Sequence, residues 1–243
     1  MDSSNGLVTS TTASSLPVFV SDAPIVDTVE IDQAQRSALR DLHASKTLVA
    51  CHEAGHCVVI LAITADIAAG NRPGTPIKVK AIDVEASTSA GGYTRTDVRE
   101  KNRYPTKADL YHEIVVSFGG RAAELAWGHA SVGAEHDLRR ATRLACDMVD
   151  AALDLAEDEP LPAHLDSLGS RATEVIKSAY CARVDAILAA AYADARRVIN
   201  MHKPETRALA ERIYSAGLLS DDRLRRAIIE SGLPIEDDGV EVN

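Results

Sequence analysis

One pentapeptide constrains this chain more than any other stretch: His52-Glu53-Ala54-Gly55-His56, an H-E-x-x-H pattern inside the apolar run from Leu48 to Leu61. On an α-helix, residues four apart lie on one face, one turn above the other. His52 and His56 can therefore present two imidazoles to one metal ion. Zinc accepts imidazole nitrogen at about 2.0–2.1 Å and adopts tetrahedral geometry, so one helical turn suits two of its bonds. Glu53 can lean over the metal's open position, where a carboxylate can accept a proton from water. The rest of the chain must supply a third ligand, a substrate groove and a core.

The chain has 243 residues, 46% hydrophobic and 26% charged, enough for one large domain or two small ones. Only 4% are aromatic, so the core rests on Leu, Ile, Val and Ala, and the abundance of Ala, Leu, Arg and Glu leans helical. The formal net charge of -10 disfavours nucleic acid and anionic membrane as main partners, since both need clustered Lys and Arg. Cys51, Cys57, Cys146 and Cys181 show no C-x-x-C spacing and read as reduced thiols of a cytoplasmic protein. Cys51 and Cys57 flank the motif as small buried residues rather than extra ligands. No signal peptide is visible, no membrane anchor is expected, and the longest uninterrupted apolar run, Cys57 to Ile63, is short of a span. No P-loop pattern occurs.

Residues 1–33, Ser/Thr-rich and then holding Pro17 and Pro24, read as a flexible tail. Residues 34–232 read as one domain, and 233–243 as an acidic tail. A helical pattern runs from about Gln33 to Ala65, with Gly55 inside it, either tolerated or marking close approach of another backbone. Ile77 to Glu85 alternates as a half-buried strand, and Gly91 to Arg95 reads as a second. A strand beside such a site can bind an extended peptide at its free edge. Thr106 to Asp109 resembles a capping box opening a helix through Leu110, Ile114, Phe118 and Leu125, with Gly119-Gly120 permitting close packing. An amphipathic helix starts near Ala134 with Asp137 in its first turn. After a loop at 156–168, helices follow over roughly 171–201, after Pro204, and from Ser220. The fold class expected is mainly α with a small β-sheet.

A catalytic zinc site needs three protein ligands and an open position. The candidates for the third are His112, Glu113, Glu124, His129, Glu135, His136 and Asp137, and spacing alone does not choose among them. The motifs carry a resemblance that does. Ala50 to Val59 resembles the metal-binding helix of the FtsH-type (AAA protease) zinc peptidases, and Gly119-Gly-Arg-Ala-Ala-Glu124 resembles that family's G-G-R-A-A-E segment. Gly133 to Thr142 is similar to its G-A-x-N-D-L-x-x-A-T segment, Gly91 to Thr94 to its G-Y-T strand, and Val184 to Leu219 to its C-terminal helices.

The resemblance covers roughly residues 45–230 and implies zinc held by His52, His56 and Asp137, with Glu53 as general base. It implies a polypeptide substrate and suggests a homo-oligomer, a ring of six. Three departures stand out. The usual ATPase module and membrane anchor are not in this sequence, so an ATP-independent endopeptidase acting on flexible polypeptides is expected, or one served by an ATPase partner in trans. His136 stands where the family usually has Asn, as a donor behind the ligands or a competing ligand. The segment near 155–175 looks shorter than usual. A peptide-binding module on a peptidase scaffold is the alternative from another class.

Overall fold

The computed structural model describes residues 33–85, 92–96, 104–156, 159 and 173–235, with side chains from Ser45 onward. The expected tail at 1–33 apart from Gln33, most of the loop at 156–168 and most of the acidic tail lie outside the described residues. The elements are α1 (Gln33–Ala68), β1 (Val79–Asp83), β2 (Tyr93–Thr96), α2 (Lys107–Ala126), a 3₁₀ turn (Val132–Ala134), α3 (Glu135–Asp150), α4 (Glu174–Met201), α5 (Lys203–Ala216), β3 (Leu218–Ser220) and α6 (Asp221–Glu230). The fold is mainly α with a three-stranded antiparallel sheet in the order β2-β1-β3.

The helix α1 is the central element. Every residue from Ala50 to Leu61 is buried, the H-E-x-x-H residues included. A helix apolar all round has its natural place in the core of a protein. The run Cys57–Ile63 understates this helix: Ser45–Ala68 is long and apolar enough to cross a membrane by length and composition, and 78% of its most apolar window is buried within the fold. Burial pushes the thiols of Cys51 and Cys57 up to about 12, as expected of inert core residues. All four cysteines are unbridged.

Helix α2 packs across α1 at a crossing where side chains are excluded. A methyl group on Gly55 would lie 2.4 Å from the Gly119 carbonyl oxygen and 2.6 Å from Ala123 Cβ. The close-approach reading of Gly55 and of Gly119-Gly120 is the one the packing requires. The start of α2 is fixed by the capping box: Thr106 Oγ1 accepts from the Asp109 amide, and Asp109 accepts from the Thr106 amide at 2.9 Å. Buried Leu144, Ala145, Met148 and Val149 of α3, and Ala191, Ala195, Val198 and Ile199 of α4, close the core.

Several element boundaries differ from the sequence reading. The first strand is Val79–Asp83, shorter than Ile77–Glu85. Residues 218–220 form β3, which pairs Leu219 with Ile82; the sequence reading places Leu218 and Leu219 in a C-terminal helix, whereas Ser220 is the expected N-cap of the last helix. Gly217 ends α5 at φ 72, a left-handed conformation that favours glycine, and so turns the chain into that pairing.

Candidate metal centre

Three candidate ligands from two helices converge at the middle of α1. His52 and His56 point from α1, and Asp137 comes from the first turn of α3, where a carboxylate also suits the helix dipole. One ligand atom from each lies within 4.8 Å of the others. His52 Nε2 is 2.9 Å and His56 Nε2 is 3.2 Å from Asp137 Oδ2, and the two Nε2 atoms are 3.0 Å apart.

The other ring nitrogens fix the chemistry of this trio. His52 Nδ1 lies 2.9 Å from the Glu124 carboxylate, and His56 Nδ1 lies 2.7 Å from the Val116 carbonyl oxygen. Both partners only accept, so each neutral imidazole carries its proton on Nδ1 and turns its Nε2 lone pair toward Asp137. With both imidazoles neutral, three lone-pair donors would then face one another at contact distance, a repulsion that a proton on His52 or a metal ion between them removes. Two bonds of about 2.05 Å at the tetrahedral angle would separate donor atoms by about 3.3 Å. The observed 2.9–3.2 Å is that spacing slightly contracted. Two imidazoles and one carboxylate form a nitrogen–oxygen donor set that suits zinc.

Electrostatics point the same way. Burial disfavours the His52 imidazolium, but hydrogen bonds to Asp137 and Glu124 outweigh it and lift the group to about 9. Burial also opposes the Asp137 carboxylate, but the two histidines hold its carboxyl well below the usual range. The centre is built for a positive charge.

Behind His52, Glu124 is buried and fully engaged. It accepts from Arg121 Nη1 at 3.1 Å, the Ser131 amide at 3.0 Å and Ser131 Oγ at 2.8 Å. Burial would raise its carboxyl, but the hydrogen bond with His52 and those from Ser131 hold it lowered. In front of His52 stands Gly120. A methyl group there would lie 2.4–2.6 Å from three atoms of the imidazole ring, so only glycine leaves the ring its place. Glu53 faces the same cleft, and Thr94 Oγ1 on β2 donates to its Oε2 at 2.6 Å. Among the described residues, β2 is an outer strand of the sheet.

The remaining third-ligand candidates stand outside the three-donor group. Glu113 pairs with Arg140, and Glu135 with Arg139 on the surface. His112 is buried beneath Gly74, and burial drives its imidazole down to about 4. His129 keeps Nε2 buried without a hydrogen-bond partner among the described residues. His136 is exposed on the wall of the cleft, outside the three-donor group. Sequence reading marks the Gly91–Thr94 strand and the Gly119-Gly120 pair but not the contacts of Thr94 with Glu53 and of Gly120 with His52. The cleft over the centre encloses about 520 Å³.

Comparison with known proteins agrees with this geometry. The chain is 33% identical over 201 residues to an ATP-dependent zinc metalloprotease, FtsH 2 of Sorangium cellulosum, covering 75% of this chain and 32% of that protein. It is 26% identical over 200 residues to the FtsH of Caldicellulosiruptor bescii, covering 78% and 31%. It is 40% identical over 105 residues to FtsH 1 of a Thermoanaerobacter strain, covering 43% and 16%. The chain thus spans about a third or less of the length of these relatives. Zinc is the metal in their names, and the donor set found here fits it. The profile of Peptidase family M41 matches residues 41–227, and the chain belongs to that family of zinc metallopeptidases.

Proposed function

We propose that this chain hydrolyses peptide bonds in flexible or unfolded polypeptides as a zinc endopeptidase, with His52, His56 and Asp137 as metal ligands and Glu53 as general base. The single observation that carries the proposal is the convergence of the three donors at the floor of a cleft that Glu53 also lines. Zinc, when bound, supplies Lewis acidity to a water and a carbonyl in the cleft. Glu53 takes the proton of the attacking water and returns it to the leaving amine. Thr94 holds the Glu53 carboxylate through its hydroxyl. Glu124 and the Val116 carbonyl hold the two imidazoles in one tautomer and orientation. The outer edge of β2 offers backbone groups for pairing with an extended peptide. The test is zinc-dependent cleavage of casein, lost in Glu53→Gln. Equal cleavage by wild type and variant would refute the assignment.

A second reading has its own support. The relatives named above are ATP-dependent, and this chain matches only about a third of their length. An ATPase would then deliver folded substrates to the same centre, in a ring-shaped oligomer of peptidase units. Casein would still be cut without nucleotide, whereas a tightly folded substrate would be cut only with ATP and the ATPase. Cleavage of the folded substrate at one rate with and without ATP would exclude that reading.

A further inference from the structure

The cleft continues past His56 toward the C-terminal end of α1, where Ile60, Ile77 and Val116 line it. The same cleft lining holds an ion pair. Arg140 Nη2 donates to Glu113 Oε2 at 2.9 Å. The two members are unequally placed: the Glu113 side chain is 3% exposed and that of Arg140 is 38% exposed. Arg140 is the more exposed partner, and both residues line the cleft. Arg140 is the only lysine or arginine among the described residues lining the cleft.

From this juxtaposition we infer that Arg140, anchored by Glu113, forms a subsite for a carboxylate of the substrate peptide. The inference rests on the peptidase reading above and names a substrate class for it. Arg140 follows Asp137 by three residues on α3, about 4.5 Å along the helix axis. That is within reach of a side chain flanking the bond to be cut. A guanidinium carries five N–H donors in a rigid plane, and Glu113 fixes that plane through one nitrogen. A planar fork already oriented binds a carboxylate with little further ordering. The apolar walls strengthen the interaction relative to water. The carboxylate has two possible sources, an Asp or Glu side chain or the C-terminus of the peptide.

The test uses zinc-loaded protein and fluorogenic peptides with Glu, Gln or Leu at each position flanking the cleaved bond, each with a free or an amidated C-terminus. Binding of the same peptides to Glu53→Gln, read by fluorescence anisotropy, reports the subsite without turnover. Glu-bearing peptides are expected to bind about tenfold more tightly than their Gln counterparts if the side chain is the source. A tenfold loss on amidation would identify the C-terminus instead. Arg140→Gln in the same background is expected to abolish the preference, and Glu113→Gln, which keeps a carbonyl acceptor to orient the guanidinium but removes the competing negative charge, to increase it. If Arg140→Gln does not fold, the Glu113→Gln comparison still decides. Equal affinity for all peptides, or a preference unmoved by Glu113→Gln, would overturn the subsite. If wild type cleaves none of the peptides and no casein, the peptidase reading itself fails, which is a different result from cleavage without preference.

Discussion

A single methyl group at Gly120 should disable the metal centre. In Gly120→Ala the new Cβ would sit 2.4 Å from His52 Cε1, 2.5 Å from Nε2 and 2.6 Å from Nδ1. Non-bonded carbon atoms settle near 3.5–4.0 Å, so the ring must retreat by roughly 1 Å. His52 is buried and tied on both sides, to Glu124 and Asp137 at 2.9 Å each. A retreat of that size breaks one of those contacts. Overpacking of this kind costs about 1–3 kcal/mol. Disturbing the support of a ligating histidine typically weakens metal binding about 10–100-fold. A hundredfold loss of affinity also removes roughly 2.7 kcal/mol of zinc-linked stability. The assay is zinc competition against a chromogenic chelator, with thermal melts of the zinc-loaded and chelator-treated proteins. Gly120→Ala should show a weaker Kd and a smaller gap between the two melting temperatures than wild type. A variant with wild-type Kd and the wild-type gap would refute the steric reasoning.

Other perturbations reach different parts of the site. Thr94→Val removes a hydroxyl from the Glu53 carboxylate, a charge-assisted bond of about 1.5–3 kcal/mol, so kcat should fall about 10–100-fold with zinc content unchanged and Thr94→Ser should recover most of it. Glu124→Ala strips His52 Nδ1, Arg121 and Ser131 of their shared acceptor, and should weaken zinc about 10–100-fold with a loss of stability seen in urea titration. Zinc competes with a proton on His52, whose imidazolium persists to about 9 in the metal-free protein; zinc affinity should therefore rise roughly tenfold per pH unit from about 7 to 9, and a flat Kd there would contradict the assignment. The sign for stability is opposite. A raised His52 pKa stabilises the metal-free fold fully below about 6.5, and that contribution is lost as pH rises through about 9, so chelated protein should melt lower at pH 9 than at pH 6.5.

The parts of this fold legible in the sequence are those governed by local periodicity. His52 and His56 share a helix face because four residues make about one turn, and the Thr106–Asp109 box opens α2 because its bonds are local. Asp137 is different. It lies 85 residues from His52, and among seven titratable candidates only the family resemblance distinguished it. What separates the seven is tertiary: Glu124 is behind His52, Glu113 is bound to Arg140, and His112 is under a glycine. The contacts of Thr94 and Gly120 escaped for the same reason, since a hydroxyl beside a base and a missing methyl beside a ring leave no periodic trace. The strand β3 was missed because three residues, Leu218–Ser220, hold strand geometry only through pairing with β1.

The central claim is that one metal ion is held by two α1 histidines and an α3 aspartate. Anomalous diffraction from zinc-loaded crystals above and below the zinc absorption edge tests it most directly. The expected result is one strong peak within bonding distance of His52 Nε2, His56 Nε2 and an Asp137 carboxylate oxygen. A peak ligated by Glu124 or His136 in place of Asp137, or no peak at the H-E-x-x-H helix, would contradict it.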